Sequence, residues 1–258
     1  MGASQHDIEK WGDGHHKFER VLRDADQFKA RDEVFDYQTL RFIYDVFKRK
    51  HIETVDFPLS TGKEANIYLC TTPEKQRVIL KIFRTTTATF KSFLPYLEGD
   101  KRFTKIGHDI RGLVYSWSMK EFKNLKRLEE AGVRAPRPIF CYKNLLLMGY
   151  VKLDEDPAPT LKKALMDPAD AREIGGEVLD MMRVMYKKAE LVHSDLSEYN
   201  ILVSSDGPTM IDVSQSVLVT HPHARDYLDR DVHNIVRFFN GYDMGLDPEK
   251  VLGDITGP

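Results

Sequence analysis

The sequence has little cysteine and lacks any long apolar run. Its two cysteines, Cys70 and Cys141, each lie beside an apolar stretch. Two isolated thiols are too few for a zinc site or a disulfide framework, so buried and reduced side chains are expected. Because no stretch approaches the roughly 18 apolar residues that a membrane helix needs, no membrane span or membrane partner is predicted. The polar N-terminus has no apolar signal core, which favours a cytoplasmic protein.

The chain also lacks a large excess of charge of either sign. Its 258 residues include 38 Lys and Arg and 40 Asp and Glu, with 41% hydrophobic and 30% charged residues. This composition is typical of a soluble globular protein. The length suits one large domain or two small lobes around a cleft.

Positive charge is nevertheless concentrated between Lys81 and Arg127. This region has eleven Lys or Arg and four Asp or Glu, which gives a local charge of +7. Part of the charge recurs at helical spacing over residues 120–127, as on a solvated helix face. The region is equally typical of a patch for phosphate-rich partners, meaning ATP or RNA. The candidate RNA contacts are Lys101, Arg102 and Lys105.

Residues 193–200 (HSDLSEYN) and 209–213 (TMIDV) contain a pattern typical of phosphoryl transfer. Asp195 and Asn200 are five positions apart, and Asp212 ends a second apolar strand. In a protein kinase this spacing supplies an Asp that orients the attacking hydroxyl, an Asn that holds a metal ion and a later metal-binding Asp. The apolar residues on both sides of the loop and the turn at 206–208 favour this interpretation over a polar loop between two strands.

The hairpin over residues 60–68 (STGKEANIY) stands where a nucleotide-binding glycine loop is expected, but it keeps only Gly62. Glycine lets backbone amides approach phosphates closely. With one glycine, part of the phosphate contacts is expected from the side chains of Ser60, Thr61, Lys63 and Asn66. The turn alone is also typical of a plain hairpin, and its place one strand before Lys81 favours nucleotide binding.

Lys81 lies inside an apolar strand, where a charge is costly unless it is paired. It shares one strand face with Ile79 and Phe83, and Glu121 on a following helix is the expected partner acid. A lysine that reaches solvent from an edge strand is the alternative. Residues 145–151 (LLLMGYV) are typical of a strand that leads into a kinase hinge. The predicted adenine-binding positions there are Met148, Gly149 and Val151.

The hydrophobic period divides the chain into three parts. Residues 1–50 are expected to form a helical extension, residues 51–151 an N-lobe with a flexible loop at 84–112, and residues 152–258 a C-lobe. Alternating runs at the start of the N-lobe predict an antiparallel meander. Helical periods predict helices over residues 36–50, 113–131, 161–166 and 169–189, and a final helix over residues 226–242.

Together these segments resemble the RIO atypical serine/threonine protein kinases, and within them the first RIO branch in its archaeal form. The likeness spans about residues 36–239. The segments that carry it are residues 60–68, 81–84 (KIFR), 193–200, 211–216 (IDVSQS) and 221–232 (HPHARDYLDRDV).

The resemblance implies an α+β, bilobal, protein-kinase-like fold that uses ATP with Mg²⁺ or Mn²⁺. It implies Asp195 as the catalytic acid/base, Asn200 and Asp212 as metal ligands, and a second catalytic role for Asp212 as a phosphate acceptor in ATP hydrolysis. It also implies serine autophosphorylation and action in late maturation of the small ribosomal subunit. The expected partner is therefore a precursor of that subunit, with its rRNA and ribosomal proteins.

The chain departs from ordinary protein kinases after Asp212. Val213 and Ser214 follow, without the usual glycine, and no Ala-Pro-Glu run occurs later. The 46 residues from 213 to 258 are too few for an activation segment and peptide-binding helices, so a trimmed C-lobe is predicted. A large assembled partner, or ATP turnover itself, then explains the chain better than a broad set of peptide substrates.

Two other functions remain open. A small-molecule kinase of the aminoglycoside or choline type uses a similar loop, but it needs a larger helical region to enclose its substrate. The second is an inactive ATP-binding scaffold on a ribosomal precursor. Such a scaffold would not need all four of these residues, so their presence argues against it: Lys81, Asp195, Asn200 and Asp212.

Overall fold

The computed structural model describes residues 36–85, 93–103, 109–164 and 167–257. The predicted extension over residues 1–35 and two parts of the predicted flexible loop, 86–92 and 104–108, lie outside these ranges. The described residues form six helices: α1 (Tyr37–Lys48), α2 (Leu94–Leu97), α3 (Ile110–Ala131), α4 (Pro168–Lys187), α5 (Ala224–Asn240) and α6 (Pro248–Thr256). Their strands are β1 (Thr54–Thr61), β2 (Ala65–Thr71), β3 (Arg77–Phe83), β4 (Pro138–Tyr142), β5 (Leu145–Gly149), β6 (Lys152–Leu153), β7 (Asp156–Pro157), β8 (Leu191–Val192), β9 (Ile201–Ser204), β10 (Gly207–Met210) and β11 (Val217–Leu218).

The first half of the chain is built on a five-stranded antiparallel sheet in the order β1-β2-β3-β5-β4. Its first three strands follow one another in sequence and in space, which confirms the predicted meander. Side chains of a strand alternate between faces. Leu80 and Ile82 of β3 therefore join the apolar cluster beneath α1, whereas Ile79 and Phe83 join the large core on the opposite face. Lys81 projects from this second face.

Helix α1 covers the outer face of the sheet, and its ends follow from the sequence. The Asp36 carboxylate accepts a hydrogen bond from the Thr39 amide at 2.7 Å, which caps the N-terminus. Ile43 and Val46 are buried, three residues apart on one side of the helix. Lys48 stands in the last turn, where the helix dipole favours a cation. The helix predicted over residues 36–50 is confirmed.

Helix α3 covers the inner face of the sheet and lines the cleft. Asp109 caps its first turn through a 3.0 Å bond from the Gly112 amide, and Gly132 ends it in the left-handed conformation at φ 76°. The helix predicted over residues 113–131 is confirmed and begins three residues earlier. It carries an apolar stripe and also four buried polar residues: Ser118, Lys120, Glu121 and Asn124.

The C-terminal half packs α4, α5 and α6 around short antiparallel strand pairs. The hairpin β9–β10 turns at Gly207, whose φ is 100°. Leu228, Val232 and Ile235 of α5 are buried along one side of that helix. Both thiols are free; Cys70 is buried in the sheet, as predicted, whereas Cys141 is only half-buried.

Two helix predictions for this half are wrong. Residues 161–164 form a single turn, closed by the Ala164 amide on the Thr160 carbonyl at 2.9 Å, in place of the predicted helix over 161–166; residues 165–166 lie outside the described ranges. One turn fixes many dihedral angles for few hydrogen bonds, so it does not propagate alone. The helix predicted as the last one is followed by α6. The signals for α6 were an Asp247 cap and Pro248 in the first turn.

Candidate active site

The centre of the cleft is an ion-pair cluster around Lys81. Its Nζ lies 2.9 and 2.8 Å from the two carboxylate oxygens of Glu121 and 2.8 Å from Oδ1 of Asp212. The Lys81 side chain is 7% exposed and that of Glu121 is 1% exposed, whereas Asp212 is 46% exposed toward the cleft. The predicted lysine–acid pair is therefore formed, and it joins the sheet, helix α3 and the loop after β10.

Charge pairing fixes the ionisation of this cluster. Burial works to lower the pKa of Lys81, but the negative charges of Asp212 and Glu121 outweigh it and hold that pKa above its usual value. The positive charge of Lys81 in turn holds the pKa of Asp212 below its usual value. Lys81 is thus a cation and Asp212 a carboxylate at neutral pH.

Loop 193–200 brings Asp195 and Asn200 together at the mouth of the cleft. The amide nitrogen of Asn200 donates to the Asp195 carbonyl at 2.7 Å and reaches its carboxylate at 3.4 Å. Gln215 also donates to the Asp195 carboxylate at 3.4 Å. Burial raises the pKa of Asp195, and the negative charge of Asp212 adds to the effect. A carboxylate with a raised pKa is better matched to proton transfer near neutral pH.

The backbone of loop 193–200 is held from below by helix α5. The buried Asp231 carboxylate accepts hydrogen bonds from the amides of Ser194 (2.7 Å) and Leu196 (2.8 Å). Arg230 donates to the Ser194 carbonyl. Ser194 has a φ of 70°, which is uncommon for a residue with a side chain. These contacts on both sides of Asp195 set the direction of its side chain.

Burial raises the pKa of Asp231 to about 7, against the two backbone amides that favour its charged form. Asp231 was missed by sequence reasoning. Its signal was a charged residue within the apolar stripe of α5, next to Val232 and three positions after Leu228.

Asp212 leaves strand β10 in a left-handed conformation with φ 58°. Aspartate tolerates this region better than most residues because its short polar side chain bonds locally. The Ser214 hydroxyl donates to its carboxylate at 3.2 Å. Two non-glycine residues with positive φ, Ser194 and Asp212, therefore flank the cleft, and strained backbone of this kind clusters at functional sites.

His193 lies beneath the cleft and links the two loops. Its Nε2 contacts the Ile211 carbonyl at 3.1 Å, so this nitrogen carries the proton. Its Nδ1 has no hydrogen-bond partner among the described residues. Burial lowers the pKa of His193 to about 4, which keeps the ring neutral at physiological pH.

The predicted phosphate-binding hairpin is exposed at its tip. Ser60, Gly62 and Lys63 are open to solvent, and the Gly62 amide bonds the Ala65 carbonyl at 2.9 Å. A Cβ at Gly62 would lie 3.1 Å from that same carbonyl, so the turn is tight.

One expected phosphate contact is wrong. Asn66 is fully buried and its amide oxygen accepts from Arg84 at 3.1 Å, so its side chain does not face the cleft. Glu64, which sequence reasoning passed over, belongs to the site. Burial raises its pKa, and the negative charge of Asp212 adds to the effect.

The predicted hinge follows directly from strand β5. Met148 is buried, and Gly149 pairs with Val78 at the end of the ladder while its amide donates to the Arg137 carbonyl at 2.8 Å. The Val151 carbonyl accepts from Ala158 at 3.3 Å. These bonds do not involve the Gly149 carbonyl or the Val151 amide. Those are the two groups predicted to bind adenine.

The side chains of Asn200 and Asp212 suit a hard divalent cation that is also bound by the phosphates of a nucleotide. The Asn200 nitrogen is turned to Asp195, so its amide oxygen is the atom left to face a cation, together with the Asp212 carboxylate. Within the described ranges, no cluster of three His, Cys, Asp or Glu side chains could hold a metal ion alone. Mg²⁺ commonly takes one or two protein carboxylates and completes its shell with phosphates and water.

Much of the basic region is neutralised internally. Within residues 81–127, five of the eleven cations lie near a carboxylate: Lys81, Arg102, Arg111, Lys120 and Arg127. Arg102 binds the buried Asp100 through its guanidinium, which weighs against its predicted contact with RNA. Lys105 lies outside the described residues. None of the helices in the described part is both long and apolar enough to cross a membrane.

Comparisons with known proteins show which family this chain resembles. A family model described as the RIO domain matches residues 66–250. The RIO-type serine/threonine-protein kinase Rio1 of Haloferax volcanii is 39% identical over 242 residues, which cover 93% of this chain and 82% of the relative. Human serine/threonine-protein kinase RIO1 is 36% identical over 248 residues, which cover 92% of this chain but only 44% of the human protein.

Among solved structures, the Rio2 kinase–ADP/Mg²⁺–phosphoaspartate complex from Chaetomium thermophilum has a TM-score of 0.58 at 22% identity. The match covers 84% of this chain and 66% of that one. At this identity the likeness concerns the fold, and it confirms the predicted α+β, bilobal, kinase-like fold with a trimmed C-lobe.

Proposed function

The chain belongs to the RIO family of atypical serine/threonine protein kinases, and we propose that it transfers the γ-phosphoryl group of ATP to serine or threonine hydroxyls. The observation that carries the proposal is the Lys81 cluster. One ammonium contacts Glu121 and Asp212 at once, each at 2.8 Å, beside the loop that holds Asp195 and Asn200. Catalysis of phosphoryl transfer is mainly positioning and charge stabilisation, and this arrangement supplies both.

Nucleotide binding is assigned to the groups along the sheet side of the cleft. The Gly149 carbonyl and Val151 amide bind adenine beneath Met148. Lys81 contacts the phosphates, and Glu121 fixes the direction of its ammonium. The hairpin tip covers the phosphates with the remaining binding groups: Ser60, Gly62 and Lys63.

Chemistry is assigned to the two loops. Asp195 orients the acceptor hydroxyl and takes its proton as the oxygen attacks phosphorus. Asn200 and Asp212 would hold Mg²⁺ or Mn²⁺, and the bound cation would neutralise charge on the phosphate oxygens.

ATP hydrolysis through Asp212 is a second proposed activity. The Asp212 carboxylate attacks the γ-phosphorus, the bond to the bridging oxygen breaks and ADP leaves; water then cleaves the aspartyl phosphate. The support is that Asp212 is ionised, half-exposed to the cleft and adjacent to Lys81. The phosphoaspartate in the related Rio2 structure favours the same chemistry. With γ-labelled ATP, we expect the protein to carry a phosphate label that is stable to acid and released by hydroxylamine. The label should be absent in Asp212→Asn.

We further propose, from family membership, that the chain acts on a precursor of the small ribosomal subunit in the cytoplasm and phosphorylates its own serines. A small-molecule kinase and an inactive scaffold are the competing functions. Labelled ATP with and without precursor subunits distinguishes them. Turnover that rises with subunits supports the proposal, phosphorylation of an aminoglycoside or choline supports the first rival, and binding to subunits without turnover supports the second.

The role of Asp195 is tested with Asp195→Ala. Turnover is expected to fall by about 10²–10⁴-fold, because Asp195 positions the acceptor and takes its proton. Nucleotide affinity, measured with a fluorescent ATP analogue, should remain within about twofold. Asp206→Ala, an exposed acid in the β9–β10 turn, is the matched control. Wild-type turnover in Asp195→Ala would show that the assignment is wrong.

A further inference from the structure

Residues 93–103, here called the bridging segment, join helix α3 to the start of helix α5. Phe93 stacks on Trp117 of α3 at 4.4 Å between ring centroids. Tyr96 stacks on Tyr227 of α5 at 5.3 Å. Leu97 is buried at 1% exposure, in the same core as Trp117. A short segment inserted between β3 and α3 thus contacts the helices that support both halves of the cleft.

His221 fixes the backbone of the bridging segment. Its Nε2 reaches the Glu98 carbonyl at 2.8 Å and the Pro95 carbonyl at 3.2 Å, while its Nδ1 accepts from the His223 amide. The ring therefore uses both nitrogens as a neutral imidazole with the proton on Nε2. This contact ties the segment to the C-terminal half by directional bonds as well as by ring stacking.

We propose that the bridging segment positions both catalytic loops for phosphoryl transfer, with Tyr96 and Asp100 as positioning residues. The inference rests on the proposed kinase function. It gives the segment the role that an activation segment has in ordinary kinases. Only eleven residues separate Asp212 from Ala224, where α5 begins, so the chain between them is too short to do this.

The first connection runs from Tyr96 to Asp195. The Tyr96 side chain interacts with the guanidinium of Arg230, and both groups lie against the Tyr227 ring, each 5.3 Å from its centroid. Arg230 donates to the carbonyl of Ser194, the residue before Asp195. Tyr96 is therefore linked through Arg230 to the backbone that aims the Asp195 carboxylate. The Tyr227 ring and the polar Tyr96 side chain stacked on it keep the Arg230 guanidinium in place.

The second connection runs from Asp100 to the loop after Asp212. Asp100 and Lys120 are both fully buried, with Asp100 Oδ2 3.9 Å from Lys120 Nζ. Lys120 donates to the Ser216 carbonyl. On the same side of α3, Asn124 donates to the carbonyls of Val213 (2.7 Å) and Ser216 (3.0 Å). Helix α3 is thereby hydrogen-bonded to the loop that follows Asp212. Asp100 supplies the negative charge beside the buried Lys120 ammonium.

The polar character of this second connection argues for positioning rather than packing. Buried charges are costly, and an apolar pair of similar size would stabilise the interior at least as well. Burial lowers the pKa of Lys120 to about 7 even with Asp100 beside it. Asp100 itself is held by Arg102 at 2.7 Å, also within the segment. Directional bonds to carbonyls fix the loop backbone in a way that apolar contacts do not.

The experiment compares Tyr96→Phe and Asp100→Asn with the wild-type chain. Tyr96→Phe removes one hydroxyl and keeps the ring stack, and Asp100→Asn removes one charge and keeps the shape. Turnover is expected to fall about 10-fold to 100-fold, the effect of a small misplacement of reacting groups. Affinity for a fluorescent ATP analogue and the thermal midpoint are expected to stay near wild type. Amide exchange should accelerate over residues 193–200 in the first variant and over residues 212–216 in the second.

Matched controls keep the readouts specific. Tyr37→Phe changes an exposed tyrosine, and Glu98→Gln changes an exposed side chain two positions before Asp100; both should leave turnover and exchange unchanged. In an Arg230→Met background, Tyr96→Phe should have no further effect, because its only route to the loop is gone. Additive losses in that double variant would exclude the Arg230 route.

The outcomes separate this inference from the kinase proposal. A wild-type chain with no ATP turnover refutes the proposed function, and the exchange comparison alone then decides the positioning role. If the wild-type chain turns over ATP and both variants match it in turnover and in exchange, the inference is overturned. Loss of turnover together with equal loss of nucleotide affinity and of thermal midpoint also overturns it, because that result indicates a structural role only.

Discussion

At the scale of single residues, the cleft depends on buried charges that neutralise one another. Lys81 has two acidic partners, and Glu121 has its carboxylate turned wholly to Lys81. Removing one member therefore leaves the other buried without its partner. Such a loss is more destabilising than replacing both members by apolar residues.

Lys81→Met is expected to lower the free energy of unfolding by about 3 kcal/mol, because Glu121 is left in the core without its cation. Changing Glu121 to Met as well is expected to restore most of this stability without restoring turnover. Urea denaturation measures the stability, and labelled ATP measures turnover. Stability losses that simply add in the double variant would contradict the coupled pair.

The buried His193 makes stability depend on pH. Its pKa is about 4 in the folded chain against 6.5 for an ordinary histidine, so only the unfolded chain binds the proton between these values. The free energy of unfolding should therefore fall as pH drops from about 6.5 towards 4, by up to about 3 kcal/mol in total. It should be fully retained above about pH 6.5.

The matched variant for this effect is His193→Gln, whose amide can still donate to the Ile211 carbonyl but does not titrate. Urea denaturation between about pH 7.5 and about pH 4.5, which spans the two pKa values, is the measurement. Asp231 contributes with the opposite sign below its raised pKa of about 7, but it is present in both proteins. The difference between the two curves should widen as pH falls, and parallel curves would contradict a neutral buried His193.

The sequence predicts the residues whose type the chemistry dictates. Spacing singled out Asp195, Asn200 and Asp212, a cation inside an apolar strand singled out Lys81, and the structure places all four around one cleft. Supporting residues are harder to find because their type is not unique. Helix α5 carries three aspartates within six residues, and only the fold shows that Asp231 is the one beneath loop 193–200.

At the scale of elements, long periodic segments were predicted well and short ones were not. The meander, α1, α3, α4 and α5 have enough residues for a period to be recognised. The nine-residue α6 and the four-residue α2 depend on a cap, a proline and burial against distant partners. The predicted flexible loop at 84–112 had no period, yet Phe93 and Leu97 within it are buried by tertiary contacts.

Gly99 lets the bridging segment approach helix α5 closely. Its φ is 87°, and a Cβ there would lie 3.2 Å from both His221 Nε2 and Pro222 Cδ. Gly99→Ala therefore combines backbone strain of about 1–2 kcal/mol with a steric conflict. Faster amide exchange over residues 93–103 and lower turnover are expected.

Gly132→Ala is the control for this change. Gly132 has a similar φ of 76°, but a Cβ at this position would meet no surrounding atom within 4 Å. It should show the backbone strain as a loss of stability, with normal exchange in the bridging segment. Equal exchange in the two variants would exclude the close contact with His221 as the cause.

At the scale of the whole molecule, the distribution of negative charge around the cleft makes nucleotide binding depend on metal. Glu64, Asp195 and Asp212 repel one another electrostatically and would also repel a triphosphate. Lys81 alone balances only part of that charge. Affinity for ATP is therefore expected to need a divalent cation.

In a thermal or urea denaturation series, ATP with Mg²⁺ should stabilise the chain by about 2.7 kcal/mol at about 100 times the dissociation constant. A chelator should remove most of this gain, and Mg²⁺ alone should add little. Asn200→Ala should reduce the gain, whereas Asp206→Ala should leave it intact. Equal stabilisation by ATP with and without chelator would contradict a shared metal at Asn200 and Asp212.

The grip of helix α3 on the Val213–Ser216 loop has a consequence for the design of inhibitors. A compound that opens a pocket by swinging Asp212 out of the cleft would have to break the bonds from Asn124 to two carbonyls and that from Lys120 to Ser216. All of these bonds are buried, so each lost partner leaves a costly unpaired group. Selective compounds should instead bind at the hinge without displacing Asp212. They should also contact the hairpin over residues 60–68, which has only one glycine.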